Sequence, residues 1–239
     1  MVNLYPLTRR NLRDLVIVLS LASTAVFATN NIEIYIAFGL LALGCFLHFV
    51  SKGTLIRNVV LCDKGIYQVL RHPYYLANYL IDSSFCLLSG NLYLILLYPF
   101  LFFWAYGPTI REEEQLLFTR HGDSFIKESL EIPQVFPDII SVINFRALFK
   151  GFSVKRITLR EYSRIMKFCA IALFLVLIHE VKADVIVDGL TAIREVFVPT
   201  MDDYDEFFFA LLAFMLYTTS VIALRLANQN RYADQKKQL

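Results

Sequence analysis

The apolar positions of this chain fall in long blocks separated by short polar breaks. Leu15–Thr29, Ile32–Val50, Phe168–His179 (reaching back to Ile165) and Phe207–Ala227 are almost free of charge. A helix of about 20 such residues, rising about 1.5 Å per residue, crosses a hydrocarbon core of about 30 Å. A fifth block, Tyr74–Tyr106, is divided by Ser89-Gly90-Asn91, a tight polar turn. Each half reaches about 25 Å, so the halves form either short tilted spans or a hairpin that stops before the far face. Either way the chain returns to the side it left. The pattern predicts an all-α, polytopic membrane protein with about six membrane-embedded helices, two of them a short helical hairpin.

The distribution of charge agrees with this partition. With a cytoplasmic N-terminus and three pairs of crossings, the cytoplasmic side receives all 23 basic residues except Lys182 and Arg194, as the positive-inside rule requires. Those two lie among Asp184, Asp188, Glu195, Asp202, Asp203, Asp205 and Glu206. A multi-pass protein with both termini cytoplasmic is therefore expected, although the formal net charge of +2 carries no such information as a sum. Composition points the same way. Hydrophobic residues make up 57% and charged residues 18%, against about 45–50% and about 25% in soluble domains. The 21 Phe and 13 Tyr exclude disorder. Arg9–Arg13, the apolar run after it and Val26-Phe27-Ala28 also resemble a secretory signal peptide. A first span that is kept is the reading preferred, because a second apolar helix follows almost at once.

The chain reads as three regions: N-terminal membrane helices over 1–53, a central core over 54–137, and a basic segment with two C-terminal membrane helices over 138–239. No nucleotide-binding glycine loop, Walker loop or GxSxG elbow is present, and no nucleic-acid partner is expected. Cys45, Cys62, Cys86 and Cys169 lie in or beside apolar segments without metal-ligand spacing, so packing is their expected role and no metal is implied. Arg146, Lys150, Lys155, Arg156, Arg160 and Arg164 are interleaved with apolar residues over Phe145–Lys167. That stretch reads as a surface element on an anionic leaflet, or equally as ordinary topology-setting charge.

Chemistry concentrates between Gly65 and Pro137. In Arg71-His72-Pro73-Tyr74-Tyr75, proline extends the residue before it and suits the first turn of a helix. Pro73 should therefore open a helix whose free N–H groups, near Tyr74 and Tyr75, favour an anionic group. An interfacial helix start with tyrosines in an aromatic belt is the plainer alternative. Tyr75, Asn78 and Asp82 then share one helical face. An aspartate two turns into an apolar helix must face protein or a water-filled cavity, either as a bond to a neighbouring helix or as part of a site. Downstream, Pro108 is expected to open another helix, with Glu112, Glu113 and Glu114 in its first turns and Gly122 at its stop. Dipole capping explains one or two of these carboxylates. All three, returning near His72, would also form an acidic wall for a cationic ligand.

These residues carry a resemblance. Gly65-x-Tyr67-x-x-x-Arg71-His72-Pro73-x-Tyr75 is similar to the GPYxxxRHPxY signature of isoprenylcysteine carboxyl methyltransferases and related membrane methyltransferases. Glu113-Glu114, Leu117, Gly122, Phe125, Pro133 and Pro137 fall where that family has its EE, L, FG, Y and VPxxxP elements. The likeness covers about a third of the chain. It implies S-adenosylmethionine-dependent methyl transfer to a lipophilic membrane substrate, such as a prenylcysteine carboxylate, a lipid or another small molecule, without a Rossmann domain. Carried over position by position, Tyr67, His72, Pro73, Tyr74, Tyr75 and Glu113 would hold the cofactor, and Leu61 would line its adenine pocket. Candidate catalytic residues are Arg111, Glu114 and Asp82.

Several positions depart from the family. Prenylcysteine-specific members place an Arg four residues before the cofactor-binding Glu, where this chain has Thr109. Arg111 is near, but two residues turn a helix by about 200°. Ile66, Ala77, Asn78 and His121 also replace common family residues; these departures count against a prenylcysteine among the possible acceptors and leave the cofactor positions in place. Two alternatives stay open: a sterol-reductase-like enzyme using NADPH, against which Tyr74-Tyr75 stands in place of Asn-Tyr, and a non-catalytic membrane binding protein.

Overall fold

A computed structural model describes residues 8–55, 64–123, 125–126, 131–137, 147–191, 193, 196–197 and 204–236. These residues are helical and contain no strand. Six long helices run in chain order: α1 (Arg9–Thr24), α2 (Asn31–Thr54), α3 (Pro73–Leu88), α4 (Leu92–His121), α5 (Leu159–Asp188) and α6 (Tyr204–Lys236). Short 3-10 turns lie at Gly65–Gln68, Ala147–Phe149, Val154–Arg156 and Gly189–Thr191. The all-α fold expected from the apolar pattern is observed.

Among the described residues three helices, α2, α4 and α6, are long and apolar enough to cross a membrane. Helices α1 and α3 have 16 residues each, about 24 Å at 1.5 Å per residue. Lys167 and Glu180 bracket the apolar stretch of α5. Of the six helices, three meet span length and hydropathy among the described residues.

Local sequence explains the helix ends. Asn30 accepts from the Glu33 N–H at 2.9 Å, and the Glu33 carboxylate accepts from the Asn30 N–H at 3.3 Å. This reciprocal pair satisfies orphan donors at the start of α2. Pro73 opens α3 as its chemistry predicts. Ser89-Gly90-Asn91 is the turn, and Asn91 Oδ1 accepts from the Tyr93 N–H at 3.0 Å to start α4. Gly122, at φ +53°, stops α4. One expectation fails here: Pro108 opens no new helix, since α4 continues through Pro99 and Pro108 to His121. An interior proline forfeits one backbone bond without ending a helix that packing holds. Glu112–Glu114 are therefore mid-helix residues, and no helix N-terminus stabilises their charge.

The chain divides into two compact units, and α1 to α4 contribute residues to both. One comprises Met1–Leu15, Ala42–Ser83 and Leu96–Ile157; the other comprises Val16–Leu41, Ser84–Ile95 and Thr158–Leu239. In the second unit α5 packs along α6, with Ser163 Oγ donating to the Ser220 carbonyl and Ser220 Oγ to the Ser163 carbonyl, both at 2.8 Å. Small hydroxyl residues allow such close helix contact in an apolar medium.

Helix α5 also supplies caps. Lys182 Nζ donates to the carbonyls of Thr24, at 2.7 Å, and Phe27, at the end of α1. His179 Nε2 lies 2.8 Å from the Leu88 carbonyl at the end of α3. A cation on unsatisfied C-terminal carbonyls is favourable by charge and by hydrogen bonding. Lys182, one of two basic residues outside the main charge partition, is thus accounted for by a local role. Lys182→Met should cost about 1–2 kcal/mol. Thermal unfolding in detergent should show it as a fall of about 2–8 °C, and an unchanged midpoint would refute the capping role.

Candidate functional site

The first unit gathers the polar residues of α1, α3 and α4 into one network. Arg9 and Arg13 are four residues apart, so they project from the same side of α1. Tyr75, Asn78 and Asp82 line one face of α3, and the two arginines match that face. Arg9 Nη1 donates to Tyr75 Oη at 3.0 Å. Arg13 donates through Nη2 to Asn78 Oδ1 at 2.9 Å and through Nε to Asp82 Oδ1 at 2.7 Å. The second Asp82 oxygen accepts from Tyr98 Oη at 3.1 Å. Asp82 is 0% exposed, so the charge that composition made conspicuous is neutralised by a helix 69 residues away.

Helix α4 brings the glutamates to the His72 turn. Glu114 Oε1 accepts from Arg71 Nη1 at 2.6 Å and lies 3.3 Å from His72 Nε2. Its Oε2 accepts from Gln134 Nε2 at 2.9 Å. Glu113 Oε1 accepts from Tyr75 Oη at 2.6 Å, with Arg9 Nη1 at 3.6 Å and His72 Nδ1 3.8 Å from Oε2. The imidazole of His72 therefore stands between two carboxylates. A third segment ties in through the backbone, because the N–H groups of Arg71 and His72 donate to the carbonyls of Pro133 and Gln134, both at 2.9 Å. Arg71 Nε also donates to the Ile132 carbonyl at 3.0 Å.

The two glutamates differ in what they have left to offer. The Glu114 side chain is 21% exposed and both of its oxygens are engaged, whereas that of Glu113 is 44% exposed and its Oε2 has no neighbour at hydrogen-bond distance among the contacts above. Glu114 anchors the turn, and Glu113 presents a carboxylate. Around them lie tyrosines. The Tyr74 ring is 4.9 Å from His48 and carries the Lys52 ammonium at 3.9 Å. Tyr67, in the 3-10 turn, directs its hydroxyl to the Ser51 carbonyl at 3.4 Å. Tyr75 meets Tyr106 edge-on, Tyr106 stacks on Phe102 at 4.4 Å, and Tyr79 links Phe102 to Phe136. Phe136 and its neighbour Phe103 are exposed, so an aromatic ladder joins the Tyr75–Glu113 bond to the surface of this unit.

Of the residues singled out by sequence, His72, Pro73, Tyr75, Glu113 and Glu114 come together at one place. Tyr74 and Tyr67 are borne by the same turn and helix start. Asp82 belongs to the network but is closed off inside it. Arg111 is exposed and bonds to no described residue; the uninterrupted helix leaves no later start that would swing it round. Leu61 lies outside the described residues. The anion site expected at the start of α3 is narrowed, because the Tyr75 N–H donates to the His72 carbonyl at 3.0 Å. Sequence reasoning missed Arg9, Arg13 and Gln134 as site residues, and it treated the two arginines as topology-setting charge. Their spacing was the available signal, since a lone aspartate in an apolar helix requires a cation from another helix.

No family model, curated protein or solved structure matches this chain.

Proposed function

We propose that this chain is an S-adenosylmethionine-dependent methyltransferase of the isoprenylcysteine carboxyl methyltransferase type, acting on a lipophilic membrane substrate. One observation carries the reading: three separated segments on which the resemblance rests, Arg71–Tyr75, Glu113-Glu114 and the stretch that begins at Pro133, meet in a single hydrogen-bonded site.

The residues present suit the group. When bound, S-adenosylmethionine supplies a methyl group on a sulfonium together with a charged amino-acid end. The half-exposed carboxylate of Glu113 would receive its ammonium, and Tyr67, His72, Pro73, Tyr74 and Tyr75 would line the remainder. Arg71, His72 and Gln134 hold Glu114, and Glu114 in turn fixes the turn that carries these groups. Alignment of acceptor and methyl, with water kept out, is the main demand of such a transfer. Arg13 and Asp82 serve as positioning residues for α3. The aromatic ladder from Tyr75 to Phe103 and Phe136 favours an apolar acceptor. In this proposal the protein is multi-pass, both termini are cytoplasmic and the site lies at the cytoplasmic interface, as the charge partition places it.

Calorimetry on the detergent-solubilised chain tests the reading. Saturable binding of S-adenosylhomocysteine is expected, and NADPH is expected not to bind. Binding of NADPH instead would replace this reading with the reductase alternative. Binding of neither would leave a non-catalytic binding protein.

A further inference from the structure

We infer that the strap Ala147–Ile157 is a docking surface for an anionic bilayer leaflet, built onto the end of a membrane helix. Its position follows from what it grips. The Ser153 N–H donates to the Gly53 carbonyl at 2.9 Å. Arg156 Nη1 reaches the carbonyls of Gly53 and Thr54, each at 3.2 Å, and that of Gly151 at 2.7 Å. The Gly53 and Thr54 carbonyls belong to the last turn of α2, where a helix leaves its acceptors unsatisfied. Phe149 packs edge-on against Phe46, and Phe152 lies against Phe49. The strap is thereby clamped to the last turns of α2.

Helix α2 is 24 residues long and apolar enough to cross a membrane. At about 36 Å it exceeds a hydrocarbon core of about 30 Å, so its last turn lies at the headgroup level. What the strap exposes there matches an anionic interface. Val154 is 56% and Phe149 39% exposed, and Lys150 and Lys155 are exposed beside them. No acidic residue occurs between Ala147 and Arg160. Apolar tips that sink below the headgroups, flanked by lysines that stay among them, are the pattern of interfacial binding. A soluble acidic protein would match the lysines but not the exposed valine and phenylalanine at the end of a membrane helix. Of the two readings open from sequence, surface element or topology-setting charge, the clamped geometry favours the first.

The strap is coupled to the candidate site. Gly65, at φ +63°, begins the turn that carries Tyr67, and a Cβ at Gly65 would come within 2.6 Å of the Lys150 carbonyl and 2.9 Å of the Leu148 carbonyl. A leaflet that holds the strap thus also holds the Gly65 turn. Docking itself does not depend on methyl transfer.

Tryptophan fluorescence of the full chain in nanodiscs provides the test. The single tryptophan, Trp104, is removed in a Trp104→Phe/Val154→Trp chain. In nanodiscs of phosphatidylcholine with about a third phosphatidylserine, the new indole should be quenched by lipids brominated near the top of the acyl chain. It should also be shielded from aqueous iodide. In phosphatidylcholine alone the lipid quenching should weaken. Adding Lys150→Gln and Lys155→Gln should reduce the apparent affinity for soluble short-chain phosphatidylserine by about twenty-five-fold, at about five-fold per lysine. Affinity for short-chain phosphatidylcholine should stay unchanged. Full iodide access with no lipid quenching in either nanodisc, or equal loss of affinity for both lipids, would overturn the inference.

Discussion

Replacing Arg13 with methionine is expected to destabilise the chain by about 3–5 kcal/mol, because it leaves the Asp82 carboxylate buried without a cation. Asp82 has no exposure, and its remaining partner, Tyr98 Oη at 3.1 Å, is neutral. The loss should appear in detergent as a fall of about 6–20 °C in the unfolding midpoint. Removing both charges together should be far milder. An Arg13→Met/Asp82→Leu chain loses the Coulomb attraction and the desolvation cost at once, and such exchanges in other proteins are often neutral or better. Recovery of most of the midpoint in the double variant identifies a structural ion pair. A double variant that folds well but binds S-adenosylhomocysteine weakly shows in addition that the pair positions α3. Additive losses would refute the pairing.

The same pair shows where reading the chain succeeds and where it stops. Apolar runs and the Ser89-Gly90-Asn91 break located α3 and the start of α4, because burial and turn chemistry are local properties. Pro73 and Gly122 marked real helix ends for the same reason. Pro108 misled, because whether a helix survives an interior proline depends on what packs around it, which no local pattern records. The convergence of Arg71–Tyr75 with Glu113 and Glu114 was anticipated from the hairpin that returns the glutamates near His72, and again through the resemblance, whereas the donors that organise it were not. Arg9, Arg13 and Gln134 lie far from their partners in sequence, and a basic residue near a membrane has an adequate explanation in topology alone. The division of labour between neighbouring glutamates was equally out of reach. Sequence made Glu114 one of three candidate catalytic residues, with Arg111 and Asp82, while the structure engages both of its oxygens and leaves one oxygen of Glu113 clear of the contacts described.

That division yields the second large effect. On the methyltransferase reading, Glu113→Gln should weaken S-adenosylhomocysteine binding by about a hundred-fold, the scale of losing a hydrogen bond to a charged group. Its effect on stability should be small, since the side chain is half-exposed and its contact with Arg9 is long. Glu114→Gln should behave in the opposite way. The amide keeps one acceptor oxygen, but the charge that holds Arg71 at 2.6 Å is gone, and a second oxygen can no longer accept from Gln134. Its cost should fall on the unfolding midpoint, at about 1–3 kcal/mol, with binding reduced by no more than about ten-fold. Calorimetry and thermal unfolding on the same two preparations separate the cases. Loss of binding in Glu114→Gln with retention in Glu113→Gln would exchange the two roles. Unchanged binding in both would remove the carboxylates from the cofactor site. Glu113 bonds Tyr75 through one oxygen and keeps the other clear of the contacts described, so on this reading its charge rather than its neighbour's should govern the ligand.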